Sequence, residues 1–236
     1  MKKLFIFLFV LFVTSCSIES SKNKIGIVIH GGAGTILKEN MTQELEDSYI
    51  IKLEEAVTAG YDILKNGGSS KDAVEQAIRV MEDSPLFNAG VGAVLTNDER
   101  VSLDASFMDG KNLNAGAIAG SSYIKNPISA AIAVMDKSPH VLLSSKGADD
   151  FAIEMGIDTV PNSYFITERR LNSLRRVKDR NSVSFEDPFI KDSKFGTVGS
   201  VAIDIHGNIS AGTSTGGTTN KIWGRIGDVP IIGAGN

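Results

Sequence analysis

The chain has 236 residues, 42% hydrophobic and 22% charged, with a net charge of −4; these values sit near the globular average and exclude a disordered, collagen-like or coiled-coil protein. One cysteine cannot close an internal disulfide, and three scattered histidines, His30, His140 and His206, supply no Cys/His ligand set for zinc. The charge is diffuse, without the long basic run of a nucleic-acid binder, so one sizeable domain with small or neutral partners is expected.

Residues 1–16, MKKLFIFLFVLFVTSC, run from two lysines through an apolar stretch, Leu4 to Val13, to Cys16. This is the order of a secretory signal, and the apolar stretch is shorter than the roughly 20 residues of a membrane-spanning helix. Cys16, directly after Thr14 and Ser15, resembles the site of a bacterial lipoprotein signal, where the cysteine becomes the lipidated first residue; plain secretion is the alternative. The expected location is the cell envelope, as a lipoprotein, or the periplasm. Loss of Lys2 and Lys3 with the leader leaves 22 basic and 28 acidic residues, a net charge of −6.

Residues 24–29 (KIGIVI) read as a buried strand ending in the glycine turn from His30 to Gly34. From about Glu46 the apolar residues Ile50, Leu53, Val57, Gly60 and Leu64 recur at helical spacing, and Gly67-Gly68 supplies the stop. Ser70 is expected to cap a second helix with the stripe Ala73, Val74, Ala77, Ile78 and Met81, giving an antiparallel pair on one sheet face. Residues 92–121 change to short strands with turns at Asn97-Asp98 and Asp109-Gly110, and Pro127 opens a helix reaching Asp136. Between 166 and 194, 13 of 29 residues are charged and no apolar period survives Val177, which predicts a helix running into a solvated linker. Residues 197–236 hold nine glycines in 40 and read as strand and loop.

The junction Gly196-Thr197 offers a specific chemistry. A strained glycyl-threonine peptide would let the threonine hydroxyl attack the preceding carbonyl. The new N-terminal Thr197 would then carry both a nucleophilic hydroxyl and an α-amine with an ordinary pKa of about 7.7–8.0, suited to act as general base. The plainer alternative is a loop-to-strand boundary. Downstream, Asp204 to Asn208 reads as a hairpin turn with Gly207 in the left-handed bulge position. Pairing Asp204 with Asn208 gives residue numbers that sum to 412, which sets Thr197 opposite Thr215; a one-residue slip would bring Gly216 there instead. In Gly224-Arg225-Ile226-Gly227-Asp228, an arginine and an aspartate could grip the carboxylate and ammonium of a free amino acid, or pair with each other.

The strings FGTVGSVAID, TSTGGTTNK and GRIGDVPIIGAG, with IVIHGGAGT and MEDSPLFNAGVGAVLT upstream, resemble the plant-type asparaginase and isoaspartyl peptidase family of N-terminal-nucleophile hydrolases. The resemblance runs from about Lys24 to Asn236 and implies an α+β fold, a four-layer αββα sandwich. It implies a self-cleavage bond at Gly196-Thr197, Thr197 as nucleophile, Thr215 as supporting hydroxyl, Asn88 orienting the nucleophile, and Arg225 and Asp228 binding the α-carboxylate and α-amine. The activity implied is hydrolysis of L-asparagine to aspartate and ammonia, or removal of β-aspartyl residues from peptides. It further implies a structural, non-catalytic sodium ion on the backbone carbonyls of Met81, Glu82, Ser84, Phe87, Ala89 and Val91, and no other cofactor.

On this resemblance, residues 24–196, with the charged linker 166–196, form the α-chain portion and 197–236 begin a β-chain portion; the halves stay together and the αβ pair dimerises. The Thr-Gly pair that supplies oxyanion donors in the family is expected beyond Asn236, so the sequence reads as truncated, and an inactive remnant is one alternative. Glycosylasparaginase is another, although an acidic residue is expected there where Gly196 stands. A non-cleaving amino-acid-binding lipoprotein is a third. Nucleotide binding through Gly31 to Gly34 is weak, because Leu37 occupies the last glycine position of G-x-G-x-x-G.

Overall fold

A computed structural model describes residues 24–32, 41–183 and 196–236; the leader with Cys16 and the linker 184–195 lie outside the described residues. In chain order the elements are β1 (Gly26–His30), α1 (Gln43–Lys65), α2 (Ser70–Glu82), β2 (Leu103–Asp109), β3 (Asn114–Ser121), α3 (Pro127–Lys137), β4 (Leu142–Ser144), α4 (Ser145–Glu154), α5 (Glu168–Val183), β5 (Val198–Ile203) and β6 (Ile209–Thr215). Among the described residues, six strands make one sheet in the order β1-β5-β6-β2-β3-β4, antiparallel throughout except for β3 and β4. It is a mixed fold of sheet and helices, as the blocks of periodicity predict.

Helix ends follow capping chemistry. Thr42 Oγ1 accepts from the Leu45 amide, and Ser69 Oγ accepts from the Asp72 amide while donating to its carboxylate. The cap of α2 is therefore Ser69, one residue earlier than expected, because Asp72 three positions on answers Ser69 and not Ser70. The α2 stripe Ala73, Val74, Ala77, Ile78 and Met81 is fully buried as expected. Pro127 is the first residue of α3. β4 and α4 had no sequence signal: a three-residue strand leads straight into a helix, with Ser144 as cap and Ser145 at φ 50°.

Side-chain alternation decides where the core lies. Val198, Ser200 and Ala202 of β5 and Ser210, Gly212 and Ser214 of β6 face the helices, and Val198 and Ala202 join Phe107, Ile118, Val74, Ile78 and Ile128 in the main core. The other face carries Val28, Val201 and Ile209, which are 71%, 48% and 51% exposed. Part of it is crossed by the 224–236 segment, where Ser106 Oγ donates to the Val229 carbonyl and Asn236 Nδ2 to the Ala211 carbonyl. A smaller core, with Leu95, Leu103, Phe165 and Leu174, lies under α5.

α3 rides close over β3 at Gly116, where a β-carbon would stand 2.1 Å from the Ala131 carbonyl oxygen. Its N-terminus is seated on Glu82, whose Oε1 accepts from the Ile128 amide at 3.0 Å. Burial pushes the Glu82 carboxyl up to about 8, against the pull of the Ser214 hydroxyl and the Ile128 amide. Two outcomes are expected. Gly116→Ala should cost about 1–3 kcal/mol in urea unfolding, because backbone cannot yield as a side-chain tip does. Since the folded Glu82 holds its proton up to about pH 8 and the unfolded one only to about 4.5, this residue makes stability fall as pH rises through that window; Glu82→Gln should flatten the fall by about 1.4 kcal/mol per pH unit.

Candidate active site

The β5–β6 ladder runs from Val198 opposite Ser214 to Ile203 opposite Ile209, so the sum of 412 holds along its length. Carried one residue past the end of the ladder, the same register sets Thr197 against Thr215. Alternation puts both on the face away from the helices, since Val198 and Ser214 point to the core. The register is pinned by the turn: Asp204 and Asn208 are backbone-paired at 3.0 Å and Gly207 has φ 80°, the bulge geometry read from the sequence.

Around Thr197 the chain is crowded with glycine. A β-carbon on Gly32, at φ 138°, would lie 3.4 Å from the Gly196 α-carbon, so the turn after β1 packs directly on the Gly196-Thr197 step. The Thr197 carbonyl accepts from His30 Nδ1 at 2.8 Å. Nothing in the sequence marks His30 as an anchor, because that role depends on a partner 167 residues away.

Thr215 is buried, and its Oγ1 accepts from the Gly217 amide at 3.1 Å. Asn88, 3% exposed, spans the turn: Oδ1 accepts from the Val94 amide at 2.9 Å, Nδ2 donates to the Gly217 carbonyl at 2.8 Å, and its own carbonyl accepts from Gly216 at 3.0 Å. Asn88 therefore joins its loop to the Thr215–Gly217 turn. From α5, the Arg169 guanidinium donates to the Pro85 and Leu86 carbonyls and Arg170 Nε to Gly92. Burial, then the charge of Arg169, pulls Arg170 down to about 10, still cationic at neutral pH.

Arg225 and Asp228 are both exposed on the segment after β6, and no ion pair joins them among the described residues. Arg225 leans over Gly217, where a β-carbon would be 3.3 Å from its Nη1. Two charged residues here were missed by sequence reading. Asp104, paired across the sheet with Thr215, is wholly buried, and burial raises its carboxyl, with Lys221, the Gly120 amide and Arg225 opposing. Lys221 is 7% exposed; burial lowers its ammonium, with Asp104 opposing and Arg225 adding to the fall. Their only signal was a charge inside an apolar strand and a lysine closing a hydroxyl-rich run.

The geometry brings Thr197, Thr215, Asn88 and Arg225 to one end of β5 and β6. No cluster of three or more His, Cys, Asp or Glu side chains fit for a metal occurs among the described residues. Asn88→Ala would strand the buried Val94 amide and the Gly217 carbonyl, and should cost about 1–3 kcal/mol in urea unfolding, whereas substitution at exposed Asp98 should change it little.

Comparison with known proteins gives the same direction. Residues 23–236 match the family described as Asparaginase. The chain is 45% identical over 215 residues to "Isoaspartyl peptidase" of Escherichia coli (strain K12), covering 90% of this chain and 67% of the relative. It is 42% identical over 239 residues to "Putative isoaspartyl peptidase/L-asparaginase" of Dictyostelium discoideum, covering 89% and 69%, and 42% identical over 209 residues to "Isoaspartyl peptidase/L-asparaginase" of Homo sapiens, covering 89% and 66%. The chain thus spans about two thirds of the length of these relatives. With nearly all of its sequence from β1 onward matched, the chain belongs to the asparaginase family of N-terminal-nucleophile hydrolases.

Proposed function

We propose that the protein is an amidohydrolase that converts L-asparagine to aspartate and ammonia, removes N-terminal β-aspartyl residues from peptides, or does both, through Thr197 released by cleavage of its own Gly196-Thr197 bond. The observation that carries this reading is the register of β5 on β6, which, carried one residue past the ladder, sets Thr197 against the buried Thr215. The names and identity of the relatives support the substrate class.

Chemically, the freed α-amine of Thr197 takes the proton of its own hydroxyl as the oxygen attacks the substrate's side-chain carbonyl. Collapse of the tetrahedral adduct expels ammonia, or the peptide amine, with that proton, and leaves a β-aspartyl ester on Thr197. Water, deprotonated by the same amine, then releases aspartate. Thr215 supports the nucleophile and Asn88 holds the Thr215–Gly217 turn that faces it. Arg225 takes the substrate α-carboxylate with its two-pronged guanidinium and Asp228 the α-ammonium, a division favoured by the absence of an ion pair between them among the described residues.

Cleavage need not separate the halves. β5 lies between β1 and β6 in the sheet, so the new N-terminus stays hydrogen-bonded on both sides. The apolar face with Val28, Val201 and Ile209 supports the finer architecture, a four-layer αββα sandwich in which a second sheet covers this face, with residues 24–196 as α chain, 197–236 as the start of the β chain, and a dimer of αβ pairs. The proposal includes a structural sodium ion on the loop from Met81 to Val91. β-Carbons at Gly90 and Gly92 would stand 2.2 Å from the Glu82 and 2.1 Å from the Phe87 carbonyl oxygens, so glycines let the loop fold closely on carbonyl oxygens, the ligands a hard cation prefers. Met81, Glu82, Ser84, Phe87, Ala89 and Val91 would hold it, and it would stiffen the loop bearing Asn88. Export by the leader, with a lipid on Cys16, completes the proposal.

The test is mass spectrometry and turnover of full-length protein. Wild type should yield fragments divided at Gly196-Thr197 and hydrolyse L-asparagine or a β-aspartyl dipeptide. Thr197→Ala should remain one chain and lose turnover by about 1,000-fold or more; cleavage or retained turnover in that variant would overturn the mechanism.

A further inference from the structure

We propose that Asp104 and Lys221 are positioning residues for Arg225: a buried carboxylate and ammonium that hold the guanidinium over Gly217 and leave its fork open for a substrate carboxylate. The inference rests on the reading of Arg225 as the substrate-binding arginine.

Asp104 sits where the β2–β3 pairing shifts register between Leu103 and Ala105, a bulge that turns the Gly120 amide, at φ 69°, onto Asp104 Oδ1 at 2.8 Å. The second oxygen, Oδ2, is buried and has no hydrogen-bond partner among the described residues. A buried carboxylate half unmet is costly unless a cation stands near. Lys221 is the cation buried nearby, without a direct ion pair to Asp104 among the described residues. Its Nζ donates to the Ser102 carbonyl at 2.8 Å, two residues before Asp104. Its backbone is held by pairing with Thr96 and by the Asn97 amide on its carbonyl, which fixes the point from which the side chain reaches Ser102.

Both cations touch one glycine. A β-carbon on Gly217, at φ 76°, would be 3.0 Å from Lys221 Nζ and 3.3 Å from Arg225 Nη1; one on Gly227 would be 3.0 Å from the same Nη1. Asp104 is buried and pairs across the sheet with Thr215, two residues before the glycine that both cations cover. Lys221 offsets part of the cost of burying Asp104, and like-charge repulsion from Lys221 keeps Arg225 away from that carboxylate. Without Lys221, the guanidinium gains by swinging onto Asp104 Oδ2, and the substrate site loses its carboxylate clamp.

The experiment compares full-length wild type, Lys221→Met, Asp104→Asn and the double variant, reading kcat, KM, inhibition by L-aspartate and melting temperature. Lys221→Met should raise KM and the aspartate inhibition constant about tenfold with kcat within about threefold of wild type, and Lys221→Arg should stay near wild type. Adding Asp104→Asn to Lys221→Met should bring both constants back to within about threefold and raise the melting temperature above that of Lys221→Met. Unchanged KM in Lys221→Met, a fall in kcat alone, or a double variant with KM still tenfold high or less stable than Lys221→Met would overturn the proposal. If Lys221→Met does not fold, the double variant alone decides by the same thresholds. Should wild type hydrolyse neither substrate, the functional reading fails, and the pair is judged by melting temperatures alone: additive single and double variants would refute it.

Discussion

The Asp204 carboxylate is the fixed point on which the arrangement depends. It accepts from the amides of Ser70, His206 and Asn208 and from Asn208 Nδ2. Burial acts to raise its pKa, but these donors outweigh it and hold the carboxyl below the ordinary range. The turn so closed sets the register of β5 on β6, and the Ser70 contact ties that turn to the start of α2. A slip of one residue would reverse every side chain in the hairpin, turning Val198 and Ala202 out of the core and Thr197 into it. Burial of the helix-facing side and alignment of the two threonines are thus one constraint.

Close backbone approach is the second theme. Gly32 lies against Gly196, Gly216 would bring a β-carbon within 2.6 Å of Asn88 Oδ1, and Gly217 carries Lys221 and Arg225 over its α-carbon. Each glycine lets a functional group come within contact distance of backbone. The conformational entropy cost of glycine is accepted where chemistry needs proximity, and offset by the alanine-rich interfaces of α2 and α3, which pack helices tightly on the sheet.

Much of this was legible in advance for identifiable reasons. The α2 stripe, Pro127 at the start of α3 and the Asp204–Asn208 turn are local signals, each read within a few residues. Asn88, Thr215 and Arg225 were recognised through motif resemblance, and their convergence follows from sheet order. What stayed hidden was non-local. The Ser69 cap depended on which of two adjacent serines Asp72 answered, and β4 was too short to show periodicity. Asp104 and Lys221 are separated by 117 positions and read singly as a stray charge and a polar turn residue.

The sequence by itself determined the elements whose causes are local: helix period, caps, hairpin turn, and through that turn the opposition of Thr197 and Thr215. It also carried the family, because five ordered motifs span the chain. Only the tertiary structure decided which face of the sheet is bare, that β5 is clasped between β1 and β6, and that a buried carboxylate from β2 and a buried ammonium from a later turn share the neighbourhood of Arg225. Those outcomes depend on strand order and burial, where electrostatics acts through space between residues that no sequence spacing connects.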